Sequence, residues 1–259
     1  MTYSFSGETG LLLKVLKGDE LIPLRDGPVI LGQEDKIDTI TLTRSKEKIE
    51  IITLFEATNK SPAWASVKEK SADKIRWTIH PDGLLNLYVE FKGKRIAKDL
   101  KGISFSFPES AVKHKKWLGD GPYRVWRNRM KGTRFQVWEN DYNNTVTGEV
   151  GMEYPEFKGY FSNLYWAQVE GKKDNGFTVF CHSPQTFFRI LTPKAHEEGG
   201  DPNKKVSPYF PEGDISFLKN IAPIGTKFQY PETMGPQGNP ENYFGNDDDP
   251  MLMELTFRF

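Results

Sequence analysis

The sequence predicts an all-β fold, a large sandwich of two antiparallel sheets. Short segments alternate between apolar and polar residues, as in I-D-T-I-T-L-T-R at 37–44, and this period of two is typical of a half-buried strand. The chain also contains 17 Pro and 23 Gly, which favour frequent turns between short strands. No segment of the first half repeats apolar residues at helical spacing over three turns. The pattern predicts about fourteen to eighteen strands, which is more than an immunoglobulin-type sandwich contains.

In the first half, strands are predicted wherever apolar or alternating runs lie between turn signals. They are expected at 3–5, 11–16, 21–32, 37–44, 48–56, 63–70, 74–80 and 84–91. The last two are separated by His80-Pro81-Asp82-Gly83, a composition that predicts a hairpin loop. The first half is therefore expected to be a meander of antiparallel strands.

In the second half, strands alternate with longer loops. Strands are expected at 103–107, 146–154, 159–170, 176–182, 186–193, 215–228 and 251–259, and long loops at 194–214 and 231–250. The basic run A-V-K-H-K-K at 111–116 predicts a solvated loop, because no acidic partners lie nearby in the sequence.

Composition excludes several classes of protein. The 35 Lys and Arg balance the 35 Asp and Glu, so the basic excess typical of a nucleic-acid-binding protein is missing. No apolar run approaches the roughly 18 residues that a membrane span needs. The single cysteine, Cys181, excludes an internal disulfide. The first residues lack the pattern of a signal peptide and resemble the inside of a strand, so we expect residues 1–259 to be one domain excised from a larger protein.

The stretch from Trp117 to Trp138 carries the strongest signal for function. Its twenty-two residues include three Trp, one Tyr, one Phe and four Arg around a Gly-Pro corner. Aromatic faces beside guanidinium groups can stack on a polar ring and hydrogen-bond its substituents. This composition indicates recognition of a carbohydrate.

Six residues are the candidate carbohydrate contacts: Trp126, Tyr123, Arg127, Arg129, Asp120 and Trp166. If the segment is a strand, Arg127 and Arg129 lie on one face, where they can reach hydroxyl or carboxylate groups. Asp120 lies in the corner L-G-D-G-P. Each type of residue also has a structural alternative, because the rings can fill the core, the arginines can pair with acidic residues, and aspartate is a common turn residue.

Neither a metal site nor a catalytic residue is predicted. The four histidines lack the H-x-x-x-H spacing of a zinc site. Asp247, Asp248 and Asp249 could supply oxygen ligands to calcium, but they lack the spaced loop of a calcium site, so a solvated loop is the preferred interpretation. No pair of carboxylates stands out as the acid and nucleophile of a glycosidase, and we expect no cofactor.

Two segments resemble a known family. The opening F-S-G-E-T-G-L-L-L-K-V-L-K-G-D-E-L-I-P-L-R-D-G-P at 5–28 resembles the start of the C-terminal domain of family 2 glycoside hydrolases of the β-galactosidase type. The segment W-L-G-D-G-P-Y-R-V-W-R-N-R at 117–129 is similar to that family's G-x-G-P motif, with Gly119, Gly121, Pro122 and Arg129 in register.

This resemblance implies a galactose mutarotase-like supersandwich that follows a catalytic (β/α)8 barrel in the same parent polypeptide. The catalytic glutamates of such enzymes belong to the barrel. The chain is therefore expected to be noncatalytic, with a carbohydrate ligand and that barrel as its partners, and with no nucleic acid or membrane partner. The parent would be periplasmic or secreted if it carried an upstream signal peptide.

Two alternatives stay open. One is a stand-alone enzyme of the same fold, either an aldose epimerase or a polysaccharide lyase. An epimerase would need a histidine pair and a glutamate base in one cleft, and His80 and His182 are the only candidates for the pair. The other is an independent carbohydrate-binding module.

Overall fold

Sixteen strands form one antiparallel sheet in the computed structural model, which describes residues 1–31, 36–56, 72–92, 100–127, 129–141, 159–173, 175–191, 210–221 and 251–259. The strands are β1 (Thr2–Phe5), β2 (Leu12–Lys17), β3 (Glu20–Ile22), β4 (Arg25–Ile30), β5 (Lys36–Arg44), β6 (Ile49–Glu56), β7 (Ala72–Ile79), β8 (Leu85–Phe91), β9 (Lys101–Ser106), β10 (Val112–Val125), β11 (Arg134–Asp141), β12 (Tyr160–Gly171), β13 (Phe177–Cys181), β14 (Phe187–Ile190), β15 (Ile215–Asn220) and β16 (Met251–Arg258). The one helical element in these ranges is the 3-10 turn Glu109–Ala111. The prediction of an antiparallel all-β fold is confirmed.

The strand order shows how the sheet folds over on itself. It runs β1-β2-β4-β9-β15-β14-β12-β13-β16-β8-β7-β6-β5, with β3 on β2 and with β10 between β11 and β12. Near its start, β12 pairs with β14 through Phe161 and Phe188. Further along, β12 pairs with β13 from Trp166 to Val169. The sheet therefore passes from a first layer (β1–β4, β9, β14, β15) to a second layer (β5–β8, β10–β13, β16) at β12.

Aromatic side chains join the two layers. Phe257 of β16 lies 5.6 Å from Phe105 of β9 and 6.3 Å from Phe217 of β15, measured between ring centroids. Trp77 of β7 contacts Phe105 at 6.3 Å, and its indole N–H donates to the carbonyl oxygen of Gly10 at 3.2 Å. Rings in such tilted and edge-to-face pairs bury large apolar areas and attract each other in addition. The layers thus pack face to face, as expected for a sandwich.

In β8 and β16, side chains alternate between a buried inner face and an outer face open to solvent. In β16, Met253, Leu255 and Phe257 are buried, whereas Leu252 and Glu254 are exposed. The same period of two occurs in β8. Cross-strand partners share a face of the sheet, so the register assigns each outward side chain of one strand a neighbour on the next.

Some local expectations prove correct and others do not. The hairpin loop at 80–83 is present. The backbone N–H of His80 donates to the carbonyl oxygen of Leu84, and the N–H of Gly83 donates to the carbonyl oxygen of His80. The basic run at 111–116 is not a loop, because its residues from Val112 onward lie in β10, where Lys115 is buried. The predicted strands at 63–70 and 146–154 lie outside the described residues. No helix among the described residues is long and apolar enough to cross a membrane.

Candidate functional site

The outer face of the second layer holds a cavity of about 930 Å³, here called the histidine cavity. It lies over β13, β16 and β8 and the loop between β7 and β8. Its lining includes the charged, imidazole and aromatic side chains of His80, Asp82, Phe180, His182, Glu254 and Arg258. The volume is near the upper end of the roughly 300–1,000 Å³ typical of small-molecule sites.

The end of β13 positions His182. The backbone N–H of His182 donates to the carbonyl oxygen of Glu254 at 2.9 Å, and the N–H of Glu254 donates to Ser183 Oγ at 2.8 Å. The ring Nε2 of His182 lies 2.8 Å from Thr256 Oγ1. These bonds hold the histidine beside the outward side chains of β16.

The loop between β7 and β8 positions His80 and Asp82. Asp82 Oδ1 accepts the N–H of Leu84 at 3.0 Å, and the hydroxyl of Tyr3 donates to the carbonyl oxygen of Gly83 at 2.6 Å. Burial and the negative charge of Asp82 raise the pKa of Tyr3 to about 12. Tyr3 therefore stays protonated at neutral pH and continues to donate this bond to the loop.

The cavity combines opposite charges with an aromatic ring. Asp82 and Glu254 supply carboxylates, Arg258 supplies a guanidinium, and two imidazoles are present. Phe180 lies on the same face and is 36% exposed. Such a set can hydrogen-bond hydroxyl groups as donor and as acceptor while an apolar ring face packs on the phenyl ring.

Of the six residues predicted from the sequence, Trp166 lies beside this cavity. It is half-buried on β12 and is the cross-strand partner of Phe180. Phe180 in turn pairs with Thr256, and Thr256 with Asn86. These four residues therefore form one cross-strand row on β12, β13, β16 and β8. The row connects the indole of Trp166 with the polar side chains of the cavity.

The other predicted residues lie around β10 and the turn that follows it. Trp126 is 1% exposed, and its ring packs 5.5 Å from both Tyr160 and Phe210. Trp126 and Arg129 exchange backbone hydrogen bonds, so Arg127 lies within a turn. The expectation that Arg127 and Arg129 alternate along a strand is therefore wrong, because the chain reverses between Trp126 and Arg129.

Tyr123 and Asp120 lie on β10 itself. Tyr123 is 49% exposed. Asp120 is half-buried and accepts a hydrogen bond from Ser162 Oγ at 3.0 Å. Both side chains are therefore at least partly accessible to solvent.

Apolar side chains continue along the outer face from the cavity toward β11. This strip consists of Phe135, Val137, Leu118, Tyr165, Trp166 and Phe180. Phe135 and Tyr165, both about half exposed, contact each other edge to face at 5.1 Å. Exposed aromatic rings next to a polar cavity are a common feature of ligand-binding surfaces.

Sequence reasoning did not identify Asp82, Phe180, Glu254 or Arg258 as site residues. His80 and His182 were considered only for the epimerase alternative. The outward polar positions of β8 and β16 are visible as alternation, but no local signal indicates that β16 lies between β8 and β13.

Among the residues that the structure describes, no group of three or more His, Cys, Asp or Glu side chains could hold a metal ion. Asp247, Asp248 and Asp249, for which a solvated loop was preferred over a calcium site, lie outside the described residues.

The comparison with protein families agrees with a carbohydrate-related domain. The family model described as "Beta galactosidase small chain" matches residues 2–199. Among solved structures, the mutarotase candidate YeaD from Salmonella typhimurium shares 9% identity at a TM-score of 0.47, covering 98% of this chain and 85% of its own. A GalM/aldose epimerase homologue from C. elegans shares 7% identity at a TM-score of 0.39, covering 84% of this chain and 67% of its own. No curated protein sequence matches the chain.

Proposed function

Because the chain belongs to the family of the β-galactosidase small chain, we propose that it is a noncatalytic, carbohydrate-binding domain of a family 2-like glycoside hydrolase. It forms part of the wall of the active site together with a catalytic (β/α)8 barrel. The family match over residues 2–199 is the observation that carries this proposal.

The histidine cavity and Trp166 are the proposed sugar-binding surface. A pyranose ring has apolar C–H faces that pack on aromatic rings, and its hydroxyl groups hydrogen-bond charged and polar side chains. Trp166 and Phe180 supply the rings, and Asp82, Glu254 and Arg258 supply the polar partners.

The residues around β10 are proposed as a second contact region. Tyr123, Asp120, Arg127 and Arg129 would contact the sugar or the neighbouring barrel. Trp126 is buried and would not contact the sugar. Its backbone hydrogen bonds with Arg129 would hold the turn that carries Arg127 and Arg129.

Removing the indole tests the sugar-binding surface. We expect Trp166→Ala to weaken binding of lactose to the isolated chain by about two- to tenfold, because one aromatic stacking contact contributes about 0.5–1.5 kcal/mol. Isothermal titration calorimetry measures the affinity. Leu54→Ala, an exposed apolar position on β6 of the same layer, is the control and should bind like the wild type. Unchanged lactose binding by Trp166→Ala would exclude Trp166 from the site.

The noncatalytic assignment would be overturned by robust hydrolysis of nitrophenyl β-galactoside.

A second candidate function is aldose epimerase activity, and one observation favours it. His80, His182 and Glu254 line the same cavity, so the fold brings together the residue types that this reaction needs. A general base takes the proton of the anomeric hydroxyl while a general acid protonates the ring oxygen, and the C1–O5 bond breaks to give the open-chain aldehyde. Rotation about C1–C2 and reclosure return both protons and give the other anomer.

Anomer exchange measured by NMR tests this candidate. If it is correct, the chain accelerates interconversion of α- and β-galactose over buffer, and His182→Ala lowers that rate by about 10²- to 10⁴-fold. The control is His114→Ala, because His114 lies on β10 and bonds Asp141 at 3.2 Å, away from the cavity. An exchange rate equal to that of buffer eliminates the epimerase.

A further inference from the structure

A second cavity, of about 440 Å³, adjoins the histidine cavity on the outer face. The two cavities share Phe180, Arg258 and Phe259 in their linings. The second one is also lined by Gln168, Glu170 and Thr178. Each volume lies within the roughly 300–1,000 Å³ of small-molecule sites, so together they have room for more than one small ring.

The strand register shows that the cavities form one continuous path. Gln168, Thr178 and Arg258 are cross-strand neighbours on β12, β13 and β16, and make up one row. The adjacent row contains Trp166, Phe180 and Thr256 on the same three strands. Trp166 and Phe180 therefore lie next to the residues of the second cavity.

The length of the path exceeds one sugar ring. Glu254 lines the first cavity, and Arg258 lines both. These two residues are four positions apart on an extended strand, and the rise of about 3.4 Å per residue in an antiparallel strand separates them by about 14 Å. A single pyranose unit can contact one end of this path but not both.

The chemistry of the lining favours an uncharged ligand. The carboxylates of Asp82, Glu254 and Glu170 are opposed by the guanidinium of Arg258 and the ammonium group of Lys17. The excess of positive charge that a polyanion requires is absent from this lining. Thr178, Gln168, Thr256 and Asn86 add neutral hydrogen-bonding groups around the central aromatic ring.

We propose that the two cavities form one groove for a neutral oligosaccharide, with Phe180 between two sugar subsites. The first subsite is the histidine cavity. The second contains Gln168 and Thr178, with Trp166 beside both. This inference rests on the proposed carbohydrate-binding function and adds to it the size of the ligand.

Affinity as a function of ligand length tests the groove. Galactose, galactobiose and galactotriose are titrated into the chain by calorimetry, and galactotriose should bind at least about tenfold more tightly than galactose, because it fills both subsites. Thr178→Trp places a bulky ring in the second subsite and should reduce that ratio to about one. Gln168→Ala, a milder change, should lower the ratio without filling the cavity.

Thr39→Trp is the matched control, since Thr39 is exposed on β5 at the far end of the layer; this variant should retain the wild-type ratio. Near-UV circular dichroism verifies that each variant is folded. Equal affinities for all three sugars would overturn the groove and leave the proposed function standing. If none of the three sugars binds, both the groove and the proposed carbohydrate-binding function are excluded.

Discussion

Replacing Phe257 with alanine should lower the free energy of unfolding by about 3–5 kcal/mol. The side chain is fully buried and contacts five other rings at centroid distances of 5.6–6.3 Å: Trp77, Phe105, Phe177, Phe217 and Phe259. Because these rings come from both layers, alanine leaves a cavity at the centre of the interface that neither layer can fill alone. Chemical denaturation followed by far-UV circular dichroism measures the loss.

Leu252→Ala is the control for this prediction. Leu252 lies on the same strand but points outward and is 38% exposed, so its removal should change the stability by no more than about 0.5 kcal/mol. The loss in free energy of unfolding for Phe257→Leu should lie between those of Phe257→Ala and Leu252→Ala. This variant keeps the comparison possible if Phe257→Ala does not fold. Similar losses for Phe257→Ala and Leu252→Ala would contradict the central position of Phe257 in the core.

Lys115→Met should stabilise the protein by a few kcal/mol at pH 6. Lys115 is 1% exposed on the inner face of β10, and its Nζ has no hydrogen-bond partner among the described residues. Burial, assisted by the positive charge of Arg124, lowers the pKa of Lys115 from 10.5 to about 7. A change of this size corresponds to a few kcal/mol of cost for keeping the buried ammonium charged.

The sign of the pH dependence follows from these two pKa values. Below about pH 7, Lys115 is protonated in the folded and the unfolded chain, so the folded state bears the full cost. Between pH 7 and 10.5 the unfolded chain binds more protons at this site, and stability therefore rises with pH. The advantage of Lys115→Met over the wild type should accordingly shrink between pH 6 and pH 9, as measured by denaturation at each pH.

Lys116→Met is the matched control, because Lys116 lies next to Lys115 but on the outer face, with its Nζ 3.2 Å from Glu139. Its difference in stability from the wild type should be small and nearly independent of pH, since a surface ion pair contributes about 0–1 kcal/mol. If wild type and Lys115→Met show the same slope with pH, Lys115 is not the titrating group.

Local sequence was sufficient for the strands β8 and β16 and for the hairpin loop between β7 and β8. In β8 and β16, alternation correctly separates inward from outward residues, as in Met253, Leu255 and Phe257 against Leu252 and Glu254. The composition of His80-Pro81-Asp82-Gly83 correctly predicts a hairpin. Both features depend on backbone geometry within a few residues, which is why they can be recognised without knowledge of the rest of the chain.

Local sequence was insufficient where burial depends on distant segments. The basic run that contains Lys115 has the composition of a solvated loop, yet the pairing of β10 with β11 and β12 makes it a strand with one buried lysine. The aromatic and arginine-rich sequence around Trp126 predicted a binding residue, but the rings of Tyr160 and Phe210 pack against its indole. Neither covering residue is a near neighbour of Trp126 in the sequence.

The candidate site shows the same division between local and long-range information. Alternation identifies the outward positions of β13, β16 and β8, and the hairpin composition places His80 in a loop. The meeting of Phe180, Thr256 and Asn86 in one row comes only from the pairing of β16 with both β13 and β8. The period of two in a strand specifies which of its side chains share a face. Which strands pair with it depends on the packing of the whole core. The cavity forms where β16 pairs with both β13 and β8.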